Sequence, residues 1–211
     1  QKEFDKENMV LLAMSEVGFI YTMSQKPITT LDELKKSKAW APEGDPNSNA
    51  LLESVGLTPI PLSIPDVLTS LQTGLINTAF NSFYGSIVMQ WFTRTSYITD
   101  IPFVYAYGAF ILDKKTFSKL PANYAQMMHS TAKKHFANLL ADTRQSNAEA
   151  LQVLQDNNIT LVKLTPESRT ELLNYREMTV EKLVGDAFSK DIYEEALEHL
   201  EKFRGKQAVN Q

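Results

Sequence analysis

The stretch Thr58-Pro-Ile-Pro-Leu-Ser-Ile-Pro-Asp-Val-Leu-Thr-Ser-Leu-Gln-Thr-Gly-Leu-Ile-Asn-Thr-Ala-Phe80 reads in succession as strand, helix and strand. Thr58 to Leu62 is a short apolar segment whose prolines limit it to an edge. Pro65 to Thr73 carries proline in its first turn and Gly74 just past its last, the usual asymmetry of a helix. Asn77 to Phe80 is again short and apolar. Working outward, the same alternation continues. Met9-Val-Leu-Leu-Ala13 reads as a buried strand. Thr30-Leu-Asp-Glu33 is a capping box opening a short helix that ends near Ser37. Lys38 to Ala41 is a strand stopped by Pro42, Pro42 to Asn47 a turn, and Asn49 to Val55 a helix closed by Gly56. Tyr84 to Arg94 is the next helix. Strands alternating with short helices predict an α/β fold with a mainly parallel sheet.

Beyond this block the periods lengthen. Tyr97 to Asp113 is rich in aromatic and β-branched residues and reads as one long strand or two collinear ones, with Gly108 at a bend or close approach. Ala122 to about Asn157 contains neither Gly nor Pro, and Met128, Ala132, Phe136, Leu139 and Leu140 recur at helical spacing. One helix of about 35 residues is three times the usual length of roughly 11–12, so it is expected to bridge two lobes. Ile159 to Leu164 is a strand, Thr165-Pro166 an N-cap with proline at N1, and helices over about 167–186 and 190–203 precede a polar tail.

Composition narrows the function. The 211 residues carry a net charge of −4, with 43% apolar and 22% charged residues. That balance suits a packed globular core and offers no surface for nucleic acid. The absence of cysteine excludes thiolate metal sites, Cys nucleophiles and disulfides. No segment reaches the roughly 18 uninterrupted apolar residues of a membrane span. His129 and His135 are six residues apart on one helix and do not share a face, and His199 lies among Glu195, Glu198 and Glu201, so no metal site is expected. No GxSxG, P-loop or GxGxxG motif is present, and no cofactor or catalytic residue is assigned. In such a sheet ligands bind beyond the carboxyl ends of the strands. Trp40, Phe80 and Asn81 end candidate strands, and Trp91-Phe92 follow on a helix.

Thr29-Thr-Leu-Asp-Glu-Leu-Lys-Lys-Ser-Lys-Ala-Trp-Ala-Pro42, Gly56-Leu-Thr-Pro-Ile-Pro61 and Asp66-Val-Leu-Thr-Ser-Leu-Gln-Thr-Gly-Leu-Ile-Asn77 resemble the solute-binding proteins of TRAP transporters. The strand from Tyr105 to Asp113, the step Lys115 to Pro121 and the long helix fit as well, so the resemblance runs from about Leu11 to Phe203. It implies a bacterial periplasmic receptor, its signal peptide removed, that closes by a hinge on a small molecule and delivers it to TRAP membrane subunits. It also implies a first lobe preceding the equivalent of Met9.

On that pattern residues 1–15 are a strand at the hinge, 16–100 the second, ligand-binding lobe, and 101–157 the returning strand and inter-lobe helix. Residues 158–205 are the strand and helices packing on the second lobe, and 206–211 a tail. Phe103, Tyr105 and Phe110 would face the first lobe. Where the family pattern has a carboxylate-binding Arg, this chain has Trp40. A second basic position is Ile20, and the acidic run before Asn81 ends in Phe80. Ile20, Trp40, Phe80 and Asn81, with Phe19 and Ile64, are therefore the expected ligand-binding residues. A buried carboxylate without its cation costs several kcal/mol. The substitutions thus imply a hydrophobic or amphiphilic ligand, as in the branch that works with tetratricopeptide-repeat partner proteins. A small organic acid, an α/β enzyme and a protein-interaction module are the alternatives.

Overall fold

The computed structural model describes residues 2–186 and 188–209. Its elements are α1 (Lys2–Lys6), β1 (Met9–Ser24), α2 (Leu31–Lys35), β2 (Trp40–Pro42), α3 (Pro46–Ser54), β3 (Ile60–Leu62), α4 (Val67–Thr73), β4 (Thr78–Asn81) and α5 (Phe83–Val88). After them come β5 (Tyr97–Asp113), α6 (Lys114–Phe117), α7 (Ala122–Asp156), β6 (Thr160–Val162), α8 (Pro166–Leu183) and α9 (Lys190–Val209).

Four strands pair in the order β4-β1-β5-β6, and β2 pairs with β3. A parallel bridge between Ala39 and Thr78 joins the two groups. The β2–β3 and β5–β6 pairs are parallel, while β1 is antiparallel to both its neighbours. Five strands therefore share one direction and β1 alone opposes them. The parallel expectation holds for the strands of the alternating block; the departure is β1, which is antiparallel to both β4 and β5.

The largest difference from the local pattern is the length of β1, which continues from Met9 to Ser24 rather than stopping at Ala13. Its middle, from Met14 to Gly18, lacks clean alternation because β1 is bulged against β5 at several points, one of them between Glu16 and Gly18. Each bulge shifts side chains between faces and erases the two-residue period. The boundaries expected at 15/16 and 100/101 both fall inside single continuous strands, β1 and β5. Smaller differences lie at element ends. The segment expected as one helix from Tyr84 divides into α5 and a 3-10 turn at Trp91–Arg94, with Gln90 in the left-handed region between them. At the C-terminal end, α9 runs on to Val209 across the expected tail, whose last two residues lie outside those described.

The caps behave as their residues dictate. The Thr30 hydroxyl accepts from the Glu33 amide, and the Glu33 carboxylate accepts from Thr30 N and, at 2.7 Å, from Thr29 N. Those bonds hold the Glu33 carboxyl below its ordinary range. Apolar side chains gather in three clusters. The first joins Ile28, Leu31, Leu34, Leu52, Val55 and Leu57 to Leu172 of α8. The second packs Trp40, Val67, Leu71, Ile76, Ala79 and Trp91. The third seats Leu154 and Ile159 on Met23 and Ile98. The C-terminal helices are tied to the block by Ser168 Oγ, which accepts from Leu31 N, and by the Thr179–Ser54 hydroxyl pair at 2.6 Å. Helix α7 is one unbroken rod, as its periodicity predicts, and it lies along β1.

Candidate ligand cleft

A cavity of about 490 Å³ opens at the carboxyl ends of β2 and β4. Trp40 and Pro42 reach it from β2, Phe80 and Asn81 from β4, and Ile64 from the 3-10 turn that follows β3. Ile20 contributes from β1. Strands that share a direction end on one side of the sheet, and the chain turning away from each end leaves the crevice.

Five of the six expected residues therefore border one cavity. Phe19 does not. Its side chain is on the far side of β1, 54% exposed, with its ring edge-on to Tyr105 at 4.7 Å. Consecutive strand residues point to opposite faces, so Ile20 and Phe19 cannot both face the cleft. Trp40 is core as well as wall: only 4% of it is exposed, its ring meets Trp91 edge-on at 5.2 Å, and Nε1 donates to the Leu62 carbonyl at 2.9 Å. Phe80 is half-buried and stacks on Phe103 of β5 at 5.2 Å. Tyr105 and Phe110, expected on an outward face, are 39% and 42% exposed.

The polar groups of the cleft are few. Asn81 Oδ1 accepts from Ser82 N at 2.9 Å, and Gly85 leaves room for that amide: a Cβ at Gly85 would lie within 2.8 Å of Asn81 Cγ. Asp45 caps α3, accepting from Asn47 N and Ser48 N. No lysine, arginine or histidine is among the described lining residues. Lys38, the nearest cation in sequence to Trp40, reaches away and donates to Gly74 O at 3.1 Å.

Glu16, on β1, is shared with a second, smaller cavity of about 290 Å³. Its carboxylate is gripped in a two-point fork by Arg144 of α7, at 2.7 and 2.5 Å. The Arg144 hydrogen bonds, with a further one from Tyr105, hold the Glu16 carboxyl below its ordinary 4.5. Partial burial and the same carboxylate push the Tyr105 hydroxyl up to about 12. Because the folded value of Glu16 is depressed, its contribution to stability is present above the ordinary carboxylate range and is lost as pH falls through the folded value. The melting-temperature gap between the natural protein and Glu16→Gln should accordingly be widest near neutrality and close on acidification; a gap independent of pH would mean the pair contributes no linked stability.

Sequence reasoning missed the outer rim. Tyr84 and Val88, one turn apart on α5, together with Met89, complete the apolar wall. They are 40%, 56% and 42% exposed, and the i, i+4 spacing of Tyr84 and Val88 was the available signal. Thr143 of α7 and Val17 of β1 also border the cleft and carry no local signal at all. Among the described residues no group of His, Cys, Asp and Glu is placed to hold a metal ion, and no helix is long and apolar enough to cross a membrane.

The profile of the bacterial extracellular solute-binding proteins, family 7, matches residues 1–185. Among solved structures the chain is similar to a Bordetella pertussis extracytoplasmic solute receptor binding pyroglutamic acid, with 22% identity over 86% of this chain and 60% of that one and a TM-score of 0.78. It is similar to the sugar acid binding protein of Advenella mimigardefordensis in complex with galactonate, at 21% identity over 86% and 59% of the two chains, TM-score 0.80. A TRAP periplasmic solute binding protein of Desulfovibrio salexigens with bound orotic acid is 18% identical over 95% and 64%, TM-score 0.76. The chain thus spans less than two thirds of the length of each of these relatives. With the profile matched over most of its length and the same fold recurring in these receptors, the chain belongs to the bacterial extracellular solute-binding proteins, family 7.

Proposed function

We propose that this chain forms the ligand-binding lobe and hinge of a periplasmic receptor for a TRAP-type transporter, acting as a carrier and not as an enzyme. The ligand is hydrophobic or amphiphilic, and the receptor hands it to TRAP membrane subunits, with a tetratricopeptide-repeat protein as a further partner. The observation that carries the ligand class is the wall of the cleft. Ile20, Trp40, Ile64, Phe80, Tyr84 and Val88 surround it, and no described lining residue is a cation. Apolar area buried against such a wall contributes about 25 cal/mol per Å² before ordering costs. A small acid held wholly inside it would bring its carboxylate up to those of Glu16 and Asp45 with no guanidinium among the described lining residues, whereas a fatty acid buries its alkyl chain and leaves its head group in solvent at the mouth.

A second reading, a small organic acid, is supported by the relatives described with pyroglutamic acid, galactonate and orotic acid. Calorimetry and thermal unfolding of the full-length natural protein separate the two. Palmitate at a hundred times its dissociation constant should stabilise the protein by about 2.7 kcal/mol. Succinate and galactonate should leave the transition in place. Ile64→Asp, at a cleft position that is 48% exposed and so tolerates a charge, removes apolar wall and repels the fatty-acid carboxylate, and should weaken palmitate about ten-fold without loss of fold. Tight succinate or galactonate binding with no palmitate binding would establish the organic-acid reading instead.

A further inference from the structure

Helix α7 meets the cleft through Thr143, Arg144 and Asn147, which lie within one turn and face β1. Thr143 lines the cavity and Arg144 holds Glu16. Asn147 does something different. Its Nδ2 donates to the Val17 carbonyl at 2.9 Å, and its Oδ1 accepts from the backbone amide of Tyr84 at 3.2 Å. Val17 sits in the bulge of β1 where the register slips between Glu16 and Gly18. Tyr84 is in the first turn of the rim helix α5, where an amide has no acceptor within its own helix. The neighbouring Gly85 amide is taken by Ser82 Oγ; that of Tyr84 is taken from across the molecule.

The strand is shaped to admit this side chain. Gly18 has φ +107°, and a Cβ built on it would stand 2.9 Å from Asn147 Nδ2. Both of the residues that Asn147 bonds line the cavity, one on the crossing strand and one on the rim. A carboxamide both donates and accepts; a carboxylate only accepts, and an alkyl group does neither.

We infer that Asn147 is a positioning residue for the ligand cleft, setting the separation of its β1 wall from its α5 rim and tying both to the long helix. This rests on the reading of that cavity as the ligand site. The bond to Tyr84 is the part that is independent of any ligand, so the test reads it separately. Amide exchange is measured residue by residue in the full-length protein, together with calorimetric binding of palmitate and of galactonate.

In Asn147→Ala the Tyr84 amide should exchange about ten-fold faster, with Ile60 of β3 unchanged, and affinity for whichever probe the natural protein binds should fall about ten-fold. Asn147→Asp retains the acceptor: Tyr84 should keep its protection while affinity falls through loss of the Val17 bond. If Asn147→Ala does not fold, Asn147→Asp and Asn147→Ser, whose shorter hydroxyl spans neither partner, carry the comparison. Failure of palmitate to bind overturns the ligand class alone. Tyr84 exchange within two-fold of natural in the alanine or serine variant, or faster exchange with undiminished affinity, overturns the role of Asn147; if neither probe binds, the exchange at Tyr84 decides.

Discussion

Trp40→Ala is expected to cost about 3–5 kcal/mol of folding stability, measured by urea denaturation. The indole is almost wholly out of solvent and packs with Val67, Leu71, Ile76, Ala79 and Trp91. Removing it leaves a cavity beside α4 and takes one of two donors from the Leu62 carbonyl, which accepts from Trp40 Nε1 and from Glu43 N. Trp40→Phe keeps most of the packing and loses one hydrogen bond to a carbonyl that Glu43 N still serves, so its cost should be nearer that of a single hydrogen bond, about 0.5–1.5 kcal/mol. The same geometry changes how the ligand is to be tested. Trp40→Arg, which would restore a cation where the family pattern has one, also drives a guanidinium against the apolar cluster of Val67, Leu71, Ile76, Ala79 and Trp91. Loss of fold is the expected result, not a change of ligand. A cost below about 1 kcal/mol for Trp40→Ala would show the ring to be a cleft wall only.

Gly18→Ala is the second large effect, expected at about 1–3 kcal/mol from backbone strain alone and more once the contact with Asn147 is added. A side chain at φ +107° is disfavoured wherever it sits, and here the new Cβ would also push the Asn147 amide off Val17. Gly74→Ala separates the two contributions. Gly74 has φ +74° at the end of α4 but nothing within 4 Å of a built Cβ, so it reports strain without crowding. Gly18→Ala should exceed Gly74→Ala in denaturation midpoint loss. Equal losses would mean that Asn147 yields freely and the close approach carries no energy.

Much of this arrangement is legible in the chain. The capping box at Thr30 and Glu33, the Pro65–Gly74 helix limits and the unbroken run of α7 are local events, decided by neighbouring residues. The structure returns them nearly residue for residue. The resemblance that passes through Trp40, Pro61 and Gly74 led to a family whose profile matches residues 1–185. Four candidate residues, Trp40, Ile64, Phe80 and Asn81, meet at one cavity because strand ends in a parallel block are adjacent by topology, and Ile20 joins them from β1. Phe19 lies outside that cavity for a local reason that was available: it precedes Ile20 and must face the other way.

What local reasoning could not reach is whatever depends on β1. Its bulges shift the register against β5, so alternation fails as a guide from Met14 to Gly18. Its reversed direction among five aligned strands is set by pairing with β4 and β5, segments far from it in the chain. The double role of Trp40 was likewise hidden, because a large aromatic at a strand end looks the same whether it meets a ligand or Trp91. The Glu16–Arg144 and Asn147–Val17 contacts join residues more than a hundred positions apart and leave no periodic trace. By itself the sequence determined the α/β class, the single long helix and the apolar character of the cleft residues, because these follow from composition, caps and spacing. The tertiary structure alone decided which of those residues share a cavity and which carboxylate is neutralised by which guanidinium. It alone decided where the long helix grips the cleft, since those are distances between segments that only folding brings together.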